Sequence, residues 1–174
     1  MNIIYNAGMD TVEFKDILQV ITKIRKLTSE VMWLFFDGLE VEVGYKSKVD
    51  RRLVAGTPVD YNKLDLIRED IIAKIKEIAE LEVEFQRMVA NYELLGTESP
   101  ERIESMVDAI VGNQKLIKSY LGHIKEDIKA VGDCEMKRWF VSEEGSRLSV
   151  WVSFQKMCNR FIEEMGEFLG KIQG

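Results

Sequence analysis

Only one histidine, His123, and a scatter of carboxylates could give this chain acid–base or metal chemistry. His123, Glu126 and Asp127 fall within one helical turn, which is half of a metal-binding helix. Carboxylate-bridged di-iron bundles take a Glu-x-x-His pair from each of two helices. A lone histidine in the order His-x-x-Glu supplies neither pair. The same histidine would have to serve any Ser-His-Asp or Cys-His arrangement, and "YLGHIKED" holds no sign of an activated nucleophile around it.

A second set of carboxylates suits Mg²⁺. Glu77 and Glu80 form a Glu-x-x-Glu pair, Glu84 continues the same face, and Glu104 and Asp108 follow on the next helical stretch. This set resembles the all-α nucleotide pyrophosphatases of the MazG type, which use a Glu-x-x-Glu pair on one helix and a Glu-x-x-Asp pair on the next. The resemblance implies Mg²⁺ at Glu77, Glu80, Glu104 and Asp108 and cleavage of nucleoside triphosphates. The second pair departs from the pattern, because Glu104 and Asp108 are four apart. Geometry weakens it further. In a hairpin turning near Thr97, residue 80 lies opposite about residue 114, and Glu104 opposite about residue 90. That axial offset is roughly 15 Å at 1.5 Å per residue, too far for shared ions held at about 2 Å. The hairpin instead sets Glu77, Glu80 and Glu84 towards Lys115 and Lys118, and Glu126 and Asp127 at the level of Arg68, as charge pairs flanking a helical seam. No glycine loop of the P-loop or dinucleotide-binding kind is present, and no cofactor is implied.

The elements that would carry these residues are helices. The first opens at Asp10, with Glu13 as capping-box partner, and its stripe runs Phe14, Ile17, Ile21, Ile24, Leu27, Val31 and Phe35 to a stop near Gly38. The second follows Pro58 and Asp60. Its apolar residues Leu64, Ile67, Ile71, Ile75, Ile78, Leu81, Phe85, Met88, Tyr92 and Leu95 step by three and four, close to a 3.5-residue repeat. Ser99 caps a third helix with Pro100 at its first position. This helix is expected to run unbroken to about Val131, either kinking at Asn113-Gln114 or seating a polar side chain in the seam there. A short helix ends at Phe140, or "VSEEGS" turns. The last helix carries Leu148, Trp151, Cys158, Phe161, Met165, Phe168 and Ile172, with Gly166 and Gly170 set for a close helix crossing. Short connections make the second and third helices an antiparallel hairpin. The expected fold is an all-α, elongated antiparallel four-helix bundle forming one domain over residues 1–174.

One stretch breaks the pattern. In "GLEVEVGYKSKVDRRLVAGTPVD" Leu39, Val41, Val43 and Tyr45 alternate with polar residues, a period-two strand signal. Val49 to Val54 could pair back on it, giving a small β-hairpin over residues 39–56 between helices one and two. Lys46, Lys48, Arg51 and Arg52 make its tip basic. A structureless connection of that length would be unusual without a role, so this arm, with Tyr45, is a candidate partner contact. The aromatic stretch holding Trp139 and Trp151 is another, since Trp is favoured at interface hot spots.

Composition limits the function classes. The chain has 174 residues, 46% apolar and 31% charged, with a net charge of −6. That balance suits a folded protein and argues against a general phosphate-binding surface, leaving nucleic-acid contact only to the basic 46–52 arm. Cys134 and Cys158 fit no disulfide framework or zinc spacing. No secretory signal and no apolar run of about 20 residues is read, so the expected location is the cytoplasm, with no membrane partner. The expectation is an interaction or assembly protein, such as a structural subunit, adaptor or chaperone-like bundle, whose partner is a protein or a second copy of itself.

Overall fold

A computed structural model describes residues 11–45, 58–93, 98–142 and 149–174. Five helices make up its architecture: α1 (Phe14–Val43), α2 (Tyr61–Asn91), α3 (Pro100–Ala130), α4 (Glu135–Val141) and α5 (Val150–Gln173). Among the described residues no strand forms; Val12 and Tyr92 make an isolated parallel bridge. The helical bundle is therefore present.

The helix starts follow local chemistry. Asp60 accepts from the Lys63 amide, Ser99 from Arg102 and Ser149 from Val152, each filling one of the donors a helix start leaves open. At α1 the capping box forms three residues later than the sequence suggests, between Glu13 and Asp16. Pro100 opens α3, where its missing N–H costs nothing.

The long helices pack around α1. Its buried residues include Ile17, Val20, Ile21, Ile24, Leu27, Val31, Met32, Phe35 and Leu39. This band is wide enough to meet α2 on one side and α3 on the other. Lys23 reaches Glu77 and Glu30 reaches Lys74, so α1 and α2 run antiparallel. Glu82 meets Arg160 and Val89 meets Lys171, so α2 and α5 run parallel. The second and third helices do not pair as a hairpin: α5 packs on both, α1 packs on both, and α2 and α3 make no extended contact. The expected charge pairing across them is replaced accordingly. Glu77 pairs with Lys23 on α1, Glu84 with Arg87 on its own helix, and Arg68 with Asp65 and with Glu135 on α4.

The 39–56 hairpin needs correction over its first half. Leu39–Val43 are the last turn of α1, which passes through Gly38 and ends at Gly44 in the left-handed conformation (φ 70°). Packing explains why helix wins over alternation. Leu39 is fully buried, and the Glu42 carboxylate accepts from the Glu135 and Met136 amides, capping α4. Gly38 lies under Met136; a Cβ there would stand 2.9 Å from the Met136 Cε. The return strand, from Val49, lies outside the described residues. In α3 the helix is continuous and Asn113 sits buried in the seam, its amide donating to the Ala109 carbonyl.

Tyr45 follows directly after the end of α1. Only 1% exposed, it donates its hydroxyl to Asp127, itself fully buried on α3, at 2.9 Å. A hydrogen bond to a buried charged group contributes about 1.5–3 kcal/mol. Tyr45→Phe should therefore lower the urea midpoint of unfolding with its slope unchanged; an unchanged midpoint would show that the bond adds nothing.

Candidate functional site

The residues singled out for chemistry do not converge. Glu77 is ion-paired with Lys23, Glu80 is exposed, and Glu104 and Asp108 are exposed on a helix that does not pack along α2. Among the described residues no group of three or more His, Cys, Asp or Glu is placed to hold a metal ion. The four carboxylates of the pyrophosphatase pattern are thus not brought together.

The partner-contact candidates fare unevenly. Tyr45 is interior. Trp151 is 9% exposed, with its ring 5.6 Å from Phe140, and belongs to the core. Trp139 is half-buried beside Phe140 and lines a shallow cleft with Arg68, Glu135, Arg138 and Ser142. Lys46, Lys48, Arg51 and Arg52 lie outside the described residues.

Two features that the sequence reading passed over are better built. The first is a polar layer between α2 and α5. Glu82 is 1% exposed, yet it carries a carboxylate that takes the Arg160 Nε–H at 2.6 Å. Glu164, one turn further along α5, accepts from the Gln86 amide at 2.6 Å. The second oxygen of each carboxylate is buried and meets no donor. Arg160 stands between the two acids, its Nε 3.9 Å from the Glu164 Oε1. Burial, and then the negative charge of Glu82, hold Glu164 above the usual carboxylate range, against the Gln86 hydrogen bond and the more distant Arg160. Cys158 belongs to the same layer. Burial pushes its thiol up to about 12, against a smaller opposing influence of Thr28 on α1, so it is an inert neutral thiol. Above the layer α2 and α5 close over an aromatic cluster, Phe85, Phe161, Phe168 and Tyr92.

The second feature is the outer face of α2. Among the described residues six large apolar side chains are more than a third exposed, and four of them are on this helix: Tyr61 at 60%, Leu66 at 64%, Ile72 at 53% and Val83 at 66%. Tyr61, Ile72 and Val83 are each 11 residues apart. Eleven residues make close to three whole turns, so the three stand in one line along the rod. Ala79 and Ala90, also exposed, continue that line. A signal for it was available in the sequence: α2 carries a second apolar period, offset from the core stripe. By contrast, a groove of about 740 Å³ between α1 and α2 is flanked by ion pairs. Its Lys15, Lys23 and Lys74 are matched by Glu13, Glu77 and Glu30.

Compared with protein-family models, with curated proteins and with solved structures, the chain matches none. No helix among the described residues is long and apolar enough to cross a membrane.

The acid pair makes a pH-dependent prediction. Because the native state holds the Glu164 proton more tightly than the unfolded chain, stability falls as pH rises from the ordinary carboxylate range through the raised native value. Glu164→Gln keeps an acceptor for Gln86 and supplies a permanent donor to Glu82. Urea unfolding at pH 5 and pH 8 should show a smaller loss for this variant than for wild type, and a higher midpoint at pH 8. Equal losses would mean the two acids do not interact.

Proposed function

We propose that this chain is an interaction or assembly protein that receives another helical surface on the outer face of α2. The aligned, exposed row Tyr61, Ile72 and Val83 carries the reading. Single exposed apolar residues are ordinary on a protein surface. Three large ones in line along one helix, three turns apart with the charged Asp65 and Lys76 between them, exceed the scatter of exposed apolar residues on the other described elements, and such a face suits a contact site. An unpartnered helix face of this shape is covered by another helix, as in coiled-coil-like packing. A rod of about 46 Å gives that partner a long, shallow seat, and such a seat suits a structural subunit, an adaptor or a chaperone-like bundle.

The carboxylate and aromatic features fit this reading as support. They fix α5 against α2, so the outer face is presented by a helix held on two sides. The pyrophosphatase alternative would need Glu77, Glu80, Glu104 and Asp108 to share ions, an arrangement not formed here.

Sizing the native protein by light scattering after gel filtration tests the proposal. Wild type should elute as an assembly larger than 20.1 kDa, and Val83→Glu, placing a charge in the middle of the seat, should reduce it to the single chain while far-ultraviolet circular dichroism stays helical. An assembly of unchanged size in Val83→Glu, or a wild type that is a single chain with no partner, would overturn it.

A further inference from the structure

The spacing of the row on α2 names its occupant. We propose that it seats the same row of a second copy, with the two α2 helices antiparallel about a two-fold axis at Ile72. This rests on the reading of α2 as the contact face.

The row is its own complement under reversal. Tyr61 and Val83 are each 11 residues from Ile72, so turning the helix end for end about residue 72 exchanges residue 61 with residue 83 and leaves 72 in place. Ile72 then meets Ile72, and each Tyr61 ring lies over Val83 of the partner copy. This gives three apolar layers, spaced about 16 Å apart at 1.5 Å per residue. All three side chains are more than half exposed in the single chain, so each has surface to lose.

One pair of flanking charges agrees with the same alignment. Glu69 and Lys76 are exposed, on the same side of the row, and neither has an ion-pair partner among the described residues. In an antiparallel pair like flanks face each other. Lys76 of one copy then comes within one residue, about 1.5 Å along the axis, of the level of Glu69 of the other. The two-fold makes that contact twice. A parallel pairing instead leaves Lys76 and Glu69 seven residues apart, about 10 Å, and stacks Tyr61 on Tyr61. Leu66 lies a third of a turn to the side of the row and is not part of this seat. Both native cysteines are buried, so a cysteine introduced on the axis is the one accessible thiol among the described residues.

Ile72→Cys in the full chain tests the axis. On mild oxidation it should give a covalent dimer in high yield, whereas Ala73→Cys, exposed but turned about 100° off the row, should not. Lys76→Glu should weaken dimerisation roughly three- to tenfold, as expected for two exposed pairs lost, and adding Glu69→Lys should restore it. If Ile72→Cys stays monomeric on oxidation, or if the charge exchange fails to restore a weakened dimer, the two-fold pairing is wrong. If Val83→Glu still dismantles an assembly in which Ile72→Cys does not cross-link, the seat holds a different protein: this inference falls and the reading of α2 as the contact face stands. If Val83→Glu has no effect either, both fall.

Discussion

The breadth of the apolar band on α1 is the constraint on which the rest depends. A helix with a narrow stripe faces one neighbour; α1 buries residues from Phe14 to Leu39 across a band that must be covered from two sides. Covering it takes both α2 and α3, which are thereby held apart on opposite flanks of α1. The fourth long helix, α5, then fills the opening between them. This order determines which faces of α2 are used: one against α1, one against α5, and one left outward.

That arrangement accounts for the polar layer. Where α5 crosses α2, Glu82 occupies a core position, and a buried carboxylate is tolerable only with a partner. Arg160 supplies it, with its guanidinium still reaching water. Glu164 stands beside it, its carboxyl held above the usual carboxylate range by burial and accepting from the Gln86 amide. Such a layer contributes less to stability than an apolar one would. It specifies where along α2 the last helix sits, because sliding α5 by one turn would strand both acids.

Much of this was legible in the residues. The core stripes of α2, α3 and α5 are spaced by three and four, and Asp60 and Ser99 mark the starts of α2 and α3, so their existence followed from pattern alone; the start of α5, capped by Ser149, did not. The departures have physical causes. Leu39 to Val43 alternate as a strand does, yet Leu39 falls on the α1 core face and Glu42 caps α4; tertiary contacts that no local pattern shows decided the outcome. Glu82 was invisible for a similar reason. The seam read from sequence passes through Leu81, and only the position of Arg160 on a distant helix makes its neighbour the buried one. The hairpin of α2 and α3 failed because chain adjacency was taken for spatial adjacency, while the width of α1 argues for both lying against it. Tyr45 looked like an exposed arm residue because its partner, Asp127, is 82 positions away.

The central claim is that the outer face of α2 is an interface. Hydrogen–deuterium exchange of the intact wild-type chain, followed by mass spectrometry at dilute and at concentrated protein, tests it most directly, because covering that face slows the opening of the helix beneath it. The account predicts added protection on concentration confined to peptides spanning residues 61–91, with those of α3 and α5 unchanged. Protection that is independent of concentration, or that rises elsewhere while α2 stays the same, would contradict it.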